Sequence, residues 1–255
     1  MPVRHDHQAQ GGLRDRLGRS FGAVASQYAT ARPRYPETLV ADIVRSGTRV
    51  LELGAGTGLL TRTLATSNLT FLVATDLDPQ MLVELHGALP AIPAVVARAE
   101  RLPFPDQHFD MVIAAKAAHW FDLEPAAHEI RRVLRPGGEL ALLWNHRSLE
   151  VDWVAQFERI TRAYTIGTVD REVADEIAAT GCFGPFSMYK AAFEHRVDLE
   201  GARNLVESFS HVSTLPPDTR ASVIEEAAEH LRMRADQNGV ISIPYYCEAY
   251  VSPVK

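Results

Sequence analysis

The segment Val50-Leu51-Glu52-Leu53-Gly54-Ala55-Gly56-Thr57-Gly58-Leu59-Leu60 constrains this chain more than any other. Three glycines at alternate positions follow an apolar, strand-like run and open a helical pattern. The backbone there can turn tightly and approach a ligand with no Cβ in the way. Such a turn is either a plain strand-to-helix connection or a ligand cradle, and the residues around it favour the cradle. The dinucleotide pattern GxGxxG needs a third small residue where this chain has Leu59, so GxGxG is a different pattern. Glu52, two residues before the first glycine, would repel phosphate and can accept from an ammonium group, so a ligand with cationic character is expected. Asp76 ends the next apolar run, where a carboxylate can accept both hydroxyls of a ribose, and Leu77 beside it is placed to lie against a purine. Asp78 stands just before Pro79 and suits the role of helix N-cap, which frees Asp76 for a ligand.

Around this turn the chain alternates short continuous apolar runs with helical patterns. The runs are 49–53, 70–75, 93–97, 110–115 and 139–144, and the helical candidates between them are 58–66, 79–87 and 124–134. Continuous rather than alternating runs suit strands covered on both faces, and β-α-β-α-β order makes the sheet mostly parallel. After Asn145 the rhythm breaks: helices are expected over 149–164 and 170–180, a strand over 186–197, helices over 201–234 split by Leu215-Pro216-Pro217, and a last strand over 239–251. Pro244 within that strand argues for an edge or a bulge. The helices between the last two strands read as a cap over the carboxyl edge of the sheet. Residues 1–20 carry too little apolar surface to offset ordering entropy and read as a disordered arm. Residues 21–48 read as a lid segment and first helix, broken by Pro33 and Pro36.

Composition narrows the partner. With 26 Lys+Arg against 32 Asp+Glu and no basic run, the chain lacks the counterion-release term behind most nucleic-acid affinity. No stretch approaches the roughly 18 apolar residues of a membrane helix, and no secretory apolar region opens the chain. Cys182 and Cys247 show no CxxC or Cys/His spacing, so a reducing cytoplasm, no structural disulfide and no metal are expected. A small molecule is the expected partner; oligomeric state is not legible.

VLELGAGTGLLTRTLA, VATDLDPQML, AERLPFPDQHFDMVIAAKAAHWFD and RRVLRPGGELALLWN resemble, in the same order, the successive motifs of class I S-adenosylmethionine-dependent methyltransferases. YATARPRYP, HWF and LLWN are similar to the branch containing trans-aconitate methyltransferase-like small-molecule enzymes. The resemblance implies that the turn of Gly54, Ala55, Gly56, Thr57 and Gly58 holds the methionine part of the cofactor and that Asp76 binds its ribose. Where the family often has an Asp that meets the adenine amino group, this chain has Arg98, read as exposed; Ala99 and Glu100 become the candidates instead.

Topology supplies the remaining candidates, since ligands of open α/β sheets sit beyond the carboxyl ends of the strands. Lys116 and Trp120 end the fourth strand, Trp144 and Asn145 the fifth; Lys116 is a candidate for cofactor binding, and Trp120, Trp144 and Asn145 are candidates for the substrate pocket. His119 is the candidate general base, with a role as a cofactor wall its competitor. Tyr28 is a candidate to close over the sulfonium and Arg34 to pair the cofactor carboxylate. Arg131, Arg132 and Arg135 read as a solvated helix end.

The expected molecule is a doubly wound α/β protein with a seven-stranded, mostly parallel, Rossmann-like sheet. Its cofactor core spans 49–146, and 147–255 hold the remaining strands and a helical cap at about 201–238. The expected activity is transfer of methyl from S-adenosylmethionine to a small molecule, leaving S-adenosylhomocysteine. A same-fold protein that binds this cofactor without transferring methyl, and a nicotinamide-dependent oxidoreductase, are the rivals.

Overall fold

The computed structural model describes residues 31–162 and 170–255, so the disordered-arm expectation, most of the lid segment and Tyr28 lie outside the described residues. The elements are α1 (Glu37–Ile43), β1 (Arg49–Leu53), α2 (Leu59–Leu64), β2 (Phe71–Asp76), α3 (Pro79–Ala88), β3 (Ala94–Val96), β4 (Phe109–Ala115), a 3-10 turn (Ala118–Trp120), α4 (Leu123–Val133) and β5 (Leu134–Arg147). They continue with α5 (Asp152–Arg162), α6 (Asp170–Ala179), β6 (Ser187–Val197), α7 (Leu199–Glu207), α8 (Ser210–Ser213), α9 (Pro217–Arg232) and β7 (Ile241–Pro253).

The seven strands form one sheet in the order β3-β2-β1-β4-β5-β7-β6. The strands from β3 to β5 pair in parallel, and β7 runs antiparallel to both β5 and β6. The reversal of strand order between β1 and β4 places a crevice at the carboxyl ends of those strands. Each face of the sheet carries a core. Leu51, Leu53, Val112, Leu142 and Trp144 pack with Ala127 and Ile130 of α4 and Ile177 of α6. Val50, Met111, Ile113 and Leu143 pack with Leu39 and Ile43 of α1 and Leu60 and Leu64 of α2. Two-sided burial is what the continuous apolar runs require. A third cluster joins the helices between β6 and β7 to the far ends of those strands: Leu205, Val206, Phe209, Ile224 and Leu231 pack on Ile241, Ile243 and Tyr245.

Two expectations are corrected. Pro244 lies on an inner strand rather than at an edge. Its carbonyl accepts from Ser148 N at 3.0 Å. A residue of an antiparallel strand presents N–H and C=O to the same side. The missing donor of Pro244 therefore falls where β5 has run out, past the pair Arg147–Tyr245, and takes nothing from the ladder with β6. The cap, in turn, breaks at Ser208 as well as at the proline pair. The Ser208 hydroxyl donates to Leu205 O at 2.7 Å while Arg32 Nη2 donates to Ser208 O at 2.8 Å, so the helix end is satisfied from outside the helix.

Candidate active site

The glycine turn is built by two different requirements. Gly54, Gly56 and Gly58 have φ of 64°, 57° and 85°, the left-handed region that glycine enters without Cβ penalty. At Gly54 a Cβ would also collide with the Ala117 side chain, so this glycine admits the loop after β4. At Gly56 a Cβ would meet no atom within 4 Å. Gly54 thus serves packing, and Gly56 faces the open cradle.

Hydrogen bonds tie the strand ends into one frame. Ala55 N donates to Thr75 O at 2.9 Å, and Gly56 N donates to Asp76 Oδ2 at 2.8 Å, so the turn after β1 is fastened to the end of β2. Asp76 Oδ1 accepts from Asp78 N at 2.8 Å, and Asp78 caps α3 by accepting from Gln80 N at 2.9 Å. Burial raises the Asp76 carboxyl above its ordinary range, with the backbone bonds from Asp78 and Gly56 opposing. A carboxylate has about four acceptor positions. The Gly56 and Asp78 amides take one position on each oxygen and the Leu77 amide also bears on the carboxyl, so part of its acceptor capacity is left for a ligand hydroxyl. Leu77 beside it is half-buried.

The loops after β3 and β4 close the frame. Ala97 N donates to Asp76 O at 3.0 Å, and Ala99 is buried. Glu100 Oε1 accepts from Asp122 N at 2.8 Å, and Glu100 Oε2 accepts from Arg98 Nε at 3.3 Å. Arg98 is exposed as expected, and its partner is the neighbouring candidate Glu100. Lys116 follows β4 with φ of 53°, a conformation uncommon outside glycine, and its N–H donates to Leu143 O at 2.8 Å. His119 and Trp120 are half-buried beside the turn, their rings 4.9 Å apart. Asn145 Nδ2 donates to Arg34 O at 3.3 Å and holds the lid segment against the end of β5.

Gly54 to Gly58, Asp76, Leu77, Ala99, Glu100, Lys116, His119, Trp120 and Asn145 therefore gather at the carboxyl ends of β1 to β5. Two candidates stand apart. Trp144 has no exposed surface; its ring meets Tyr250 edge-on at 5.9 Å within the core. Alternation along β5 turns it to the α4 side while Asn145 faces the lid, so it supports the site from behind and does not line a pocket. Glu52 is 1% exposed beneath the turn, where Thr61 Oγ1 donates to its Oε2 at 2.7 Å. Phe209, between α7 and α8, and Tyr245, on β7, belong to the third core cluster.

Sequence reasoning missed Ala117, Thr61 and Ser208. Thr61, one of two buried hydroxyls among Leu59, Leu60 and Leu64, carried a readable signal, since a buried hydroxyl needs a polar partner. Ala117 and Ser208 carried none, because their roles arise from approaches distant in sequence. Among the described residues no group of three or more His, Cys, Asp or Glu could hold a metal ion. None of the described helices is long and apolar enough to cross a membrane.

This geometry meets known proteins as follows. Residues 51–142 match the family model of a methyltransferase domain. The chain is 34% identical over 230 residues to an uncharacterized methyltransferase of Mycobacterium tuberculosis (strain ATCC 25618 / H37Rv), covering 89% of this chain and 92% of that protein. It is 30% identical over 244 residues to one of Schizosaccharomyces pombe, covering 92% and 97%. A solved structure from Anaeromyxobacter dehalogenans, a supposed type II methyltransferase, aligns with a TM-score of 0.68 at 23% identity over 88% of this chain and 97% of that one. Haemonchus contortus phosphoethanolamine N-methyltransferase 2, solved with S-adenosylhomocysteine, aligns with a TM-score of 0.56 at 17% identity, over 95% of this chain and 60% of that one. The ordered motifs, the strand order and the full-length relatives agree: this chain belongs to the class I S-adenosylmethionine-dependent methyltransferases.

Proposed function

We propose that this chain methylates a small-molecule acceptor by in-line transfer, with the cofactor seated across the glycine turn and Asp76. The observation that carries the reading is the pairing of open space at Gly56 with a carboxylate 2.8 Å from the Gly56 amide. Backbone can approach a ligand on one side of that pair while a ligand hydroxyl finds an acceptor on the other. When bound, S-adenosylmethionine supplies an already activated methyl group.

What this chain contributes is position. Asp76 orients the ribose and Leu77 and Ala99 flank the base. Lys116 to Trp120, at the end of β4, form the wall toward the acceptor. An acceptor held about 3 Å from the methyl carbon, opposite sulfur, gains roughly 7 to 11 kcal/mol from orientation. Because the positive charge disperses during transfer, a dry, aromatic-walled pocket suffices. His119 is placed to take a proton from a phenol or alcohol; a carboxylate acceptor needs no base. The malonyl-[acyl-carrier protein] O-methyltransferase of Enterobacter lignolyticus, 30% identical over 200 residues covering 72% of this chain and 77% of that protein, supports keeping carboxylates among the acceptors tested. Cys182 and Cys247, both free and buried, support a reducing compartment such as the cytoplasm.

The test is release of S-adenosylhomocysteine during incubation with S-adenosylmethionine and panels of carboxylic acids, phenols and amines. Turnover with a member of the panel supports the reading; tight binding of the cofactor with no turnover on any panel favours a binding protein of the same fold. Binding of NAD(H) in place of the cofactor would point to an oxidoreductase, against which Leu59, packed in the core where that pattern needs a small residue, already argues.

A further inference from the structure

Glu52 stands one residue before the end of β1, directly under the turn, and none of the described elements around it pairs it with a cation. From β2 come its register partner Ala74 and, at the strand end, the Asp76 carboxylate, a charge of the same sign. From β4 comes Ile113, and Lys116 lies one residue past that strand. From α2 comes the Thr61 hydroxyl, with Arg62 half-buried on the same helix. From α3 come Leu82 and Leu85, while Glu84 and His86 are exposed and Asp78 is spent on the cap. Glu52 has no basic partner among the described residues. A carboxylate so enclosed keeps its proton unless a positive charge arrives.

We infer that Glu52 is a neutral acid in the free protein and that seating a cationic ligand at the glycine turn expels its proton to solvent, leaving the carboxylate as counter-charge. The inference rests on the cofactor site proposed above. It deepens that reading by making cofactor binding a proton-linked event. In the free state the Thr61 hydroxyl donates to Oε2 and the proton resides on the carboxyl group; on binding, the O–H bond of that group breaks, the proton passes to buffer, and the bond from Thr61 is kept. Burial, with Asp76 adding to it, pushes the Glu52 carboxyl up to about 8, so the neutral form prevails at neutral pH. A ligand ammonium or sulfonium within several ångströms acts through a poorly screening interior and draws it down by about one to two pH units. Cofactor affinity then strengthens severalfold between pH 6 and pH 8 and flattens above.

The experiment is calorimetric titration of the full chain with S-adenosylhomocysteine near pH 7, in two buffers of different ionisation enthalpy. The wild type is expected to release between about a third and one proton per ligand more than Glu52→Gln. The ligand's own amine is largely protonated near pH 7 in both, so the difference belongs chiefly to Glu52. Equal proton counts overturn the inference and leave the cofactor site standing; absence of binding to the wild type overturns both. Should Glu52→Gln not fold, difference infrared spectra of the wild type decide. Loss of a protonated-carboxyl band with gain of a carboxylate band on binding supports the inference, and an unchanged carboxyl band overturns it.

Discussion

Asp76 Oδ2 accepts the Gly56 amide proton at 2.8 Å, so the carboxylate at the end of β2 and the turn after β1 form one rigid unit. Replacing Asp76 with Ala removes that tie, the bond from Asp78 N and the acceptors offered to a ribose. Affinity for S-adenosylhomocysteine is expected to fall at least tenfold, about 1.4 kcal/mol. Calorimetry checks this, and unchanged affinity would remove Asp76 from the site. Asp76→Asn retains an acceptor oxygen and should fall between wild type and Ala.

Gly54 and Gly56 share a left-handed backbone but should fail differently. Gly54→Ala drives a methyl into Ala117 and adds backbone strain, for a loss of roughly 2 to 4 kcal/mol in folding stability. Adding Ala117→Gly should recover the steric part of that loss. Gly56→Ala meets open space and should cost only about 1 to 2 kcal/mol of strain while weakening cofactor binding more than Gly54→Ala with Ala117→Gly does. Denaturant unfolding and calorimetry separate the two; equal stability losses would show that Ala117 yields to the added methyl at little cost.

Much of this was legible because the relevant physics is local. The strand runs were found within a residue or two through β4, since a two-sided core demands uninterrupted apolar residues, and Asp78 announced itself as a cap by preceding Pro79. The exception is β5, which begins at Leu134, before the apolar run 139–144, and continues to Arg147. Its pairing with β4 shifts register between Phe109 and Met111, an irregularity that no periodicity encodes. At the site, the turn and Asp76 were readable from spacing, whereas the facing of Trp144 and Asn145 was not. Adjacent residues at a strand end point to opposite sides, and only packed helices reveal which side is the pocket. The inner position of β7 was illegible for the same reason, its Pro244 being tolerated by where a neighbouring strand happens to stop.

Arg132 departs from the solvated helix end that its neighbours in sequence suggest. Its guanidinium donates to Glu129, to Asp106, to Phe104 O at 2.8 Å and to Leu102 O at 3.0 Å, stapling the segment after β3 to α4. Glu129, held below its ordinary range chiefly by that bond, also accepts from Leu102 N at 2.7 Å. Arg132→Met should cost about 2 to 3 kcal/mol in denaturant unfolding and leave cofactor affinity within a few-fold. A change within 0.5 kcal/mol would show the network to be a surface decoration.

His119 distinguishes chemistry from architecture. If it removes a proton from the acceptor, His119→Ala should leave S-adenosylhomocysteine affinity within about threefold and lower turnover by about 10² to 10⁴. Loss of affinity instead would make the ring beside Trp120 a wall of the cofactor site. An acceptor already ionised at neutral pH would show neither effect.

The buried acid also leaves a mark on the free protein. Because the folded state holds the Glu52 proton more tightly than the unfolded chain, whose carboxyl titrates near 4.3, this group's contribution to stability is full below that pH. It is lost progressively as pH rises toward about 8. Glu52→Gln removes the titration. Relative to wild type, the variant should therefore gain stability from pH 5 to pH 8, by an amount on the order of a few kcal/mol. Thermal or denaturant unfolding of both proteins without ligand at the two pH values reads the difference directly. A gap that stays constant, or closes with rising pH, would mean that Glu52 is already ionised in the free fold.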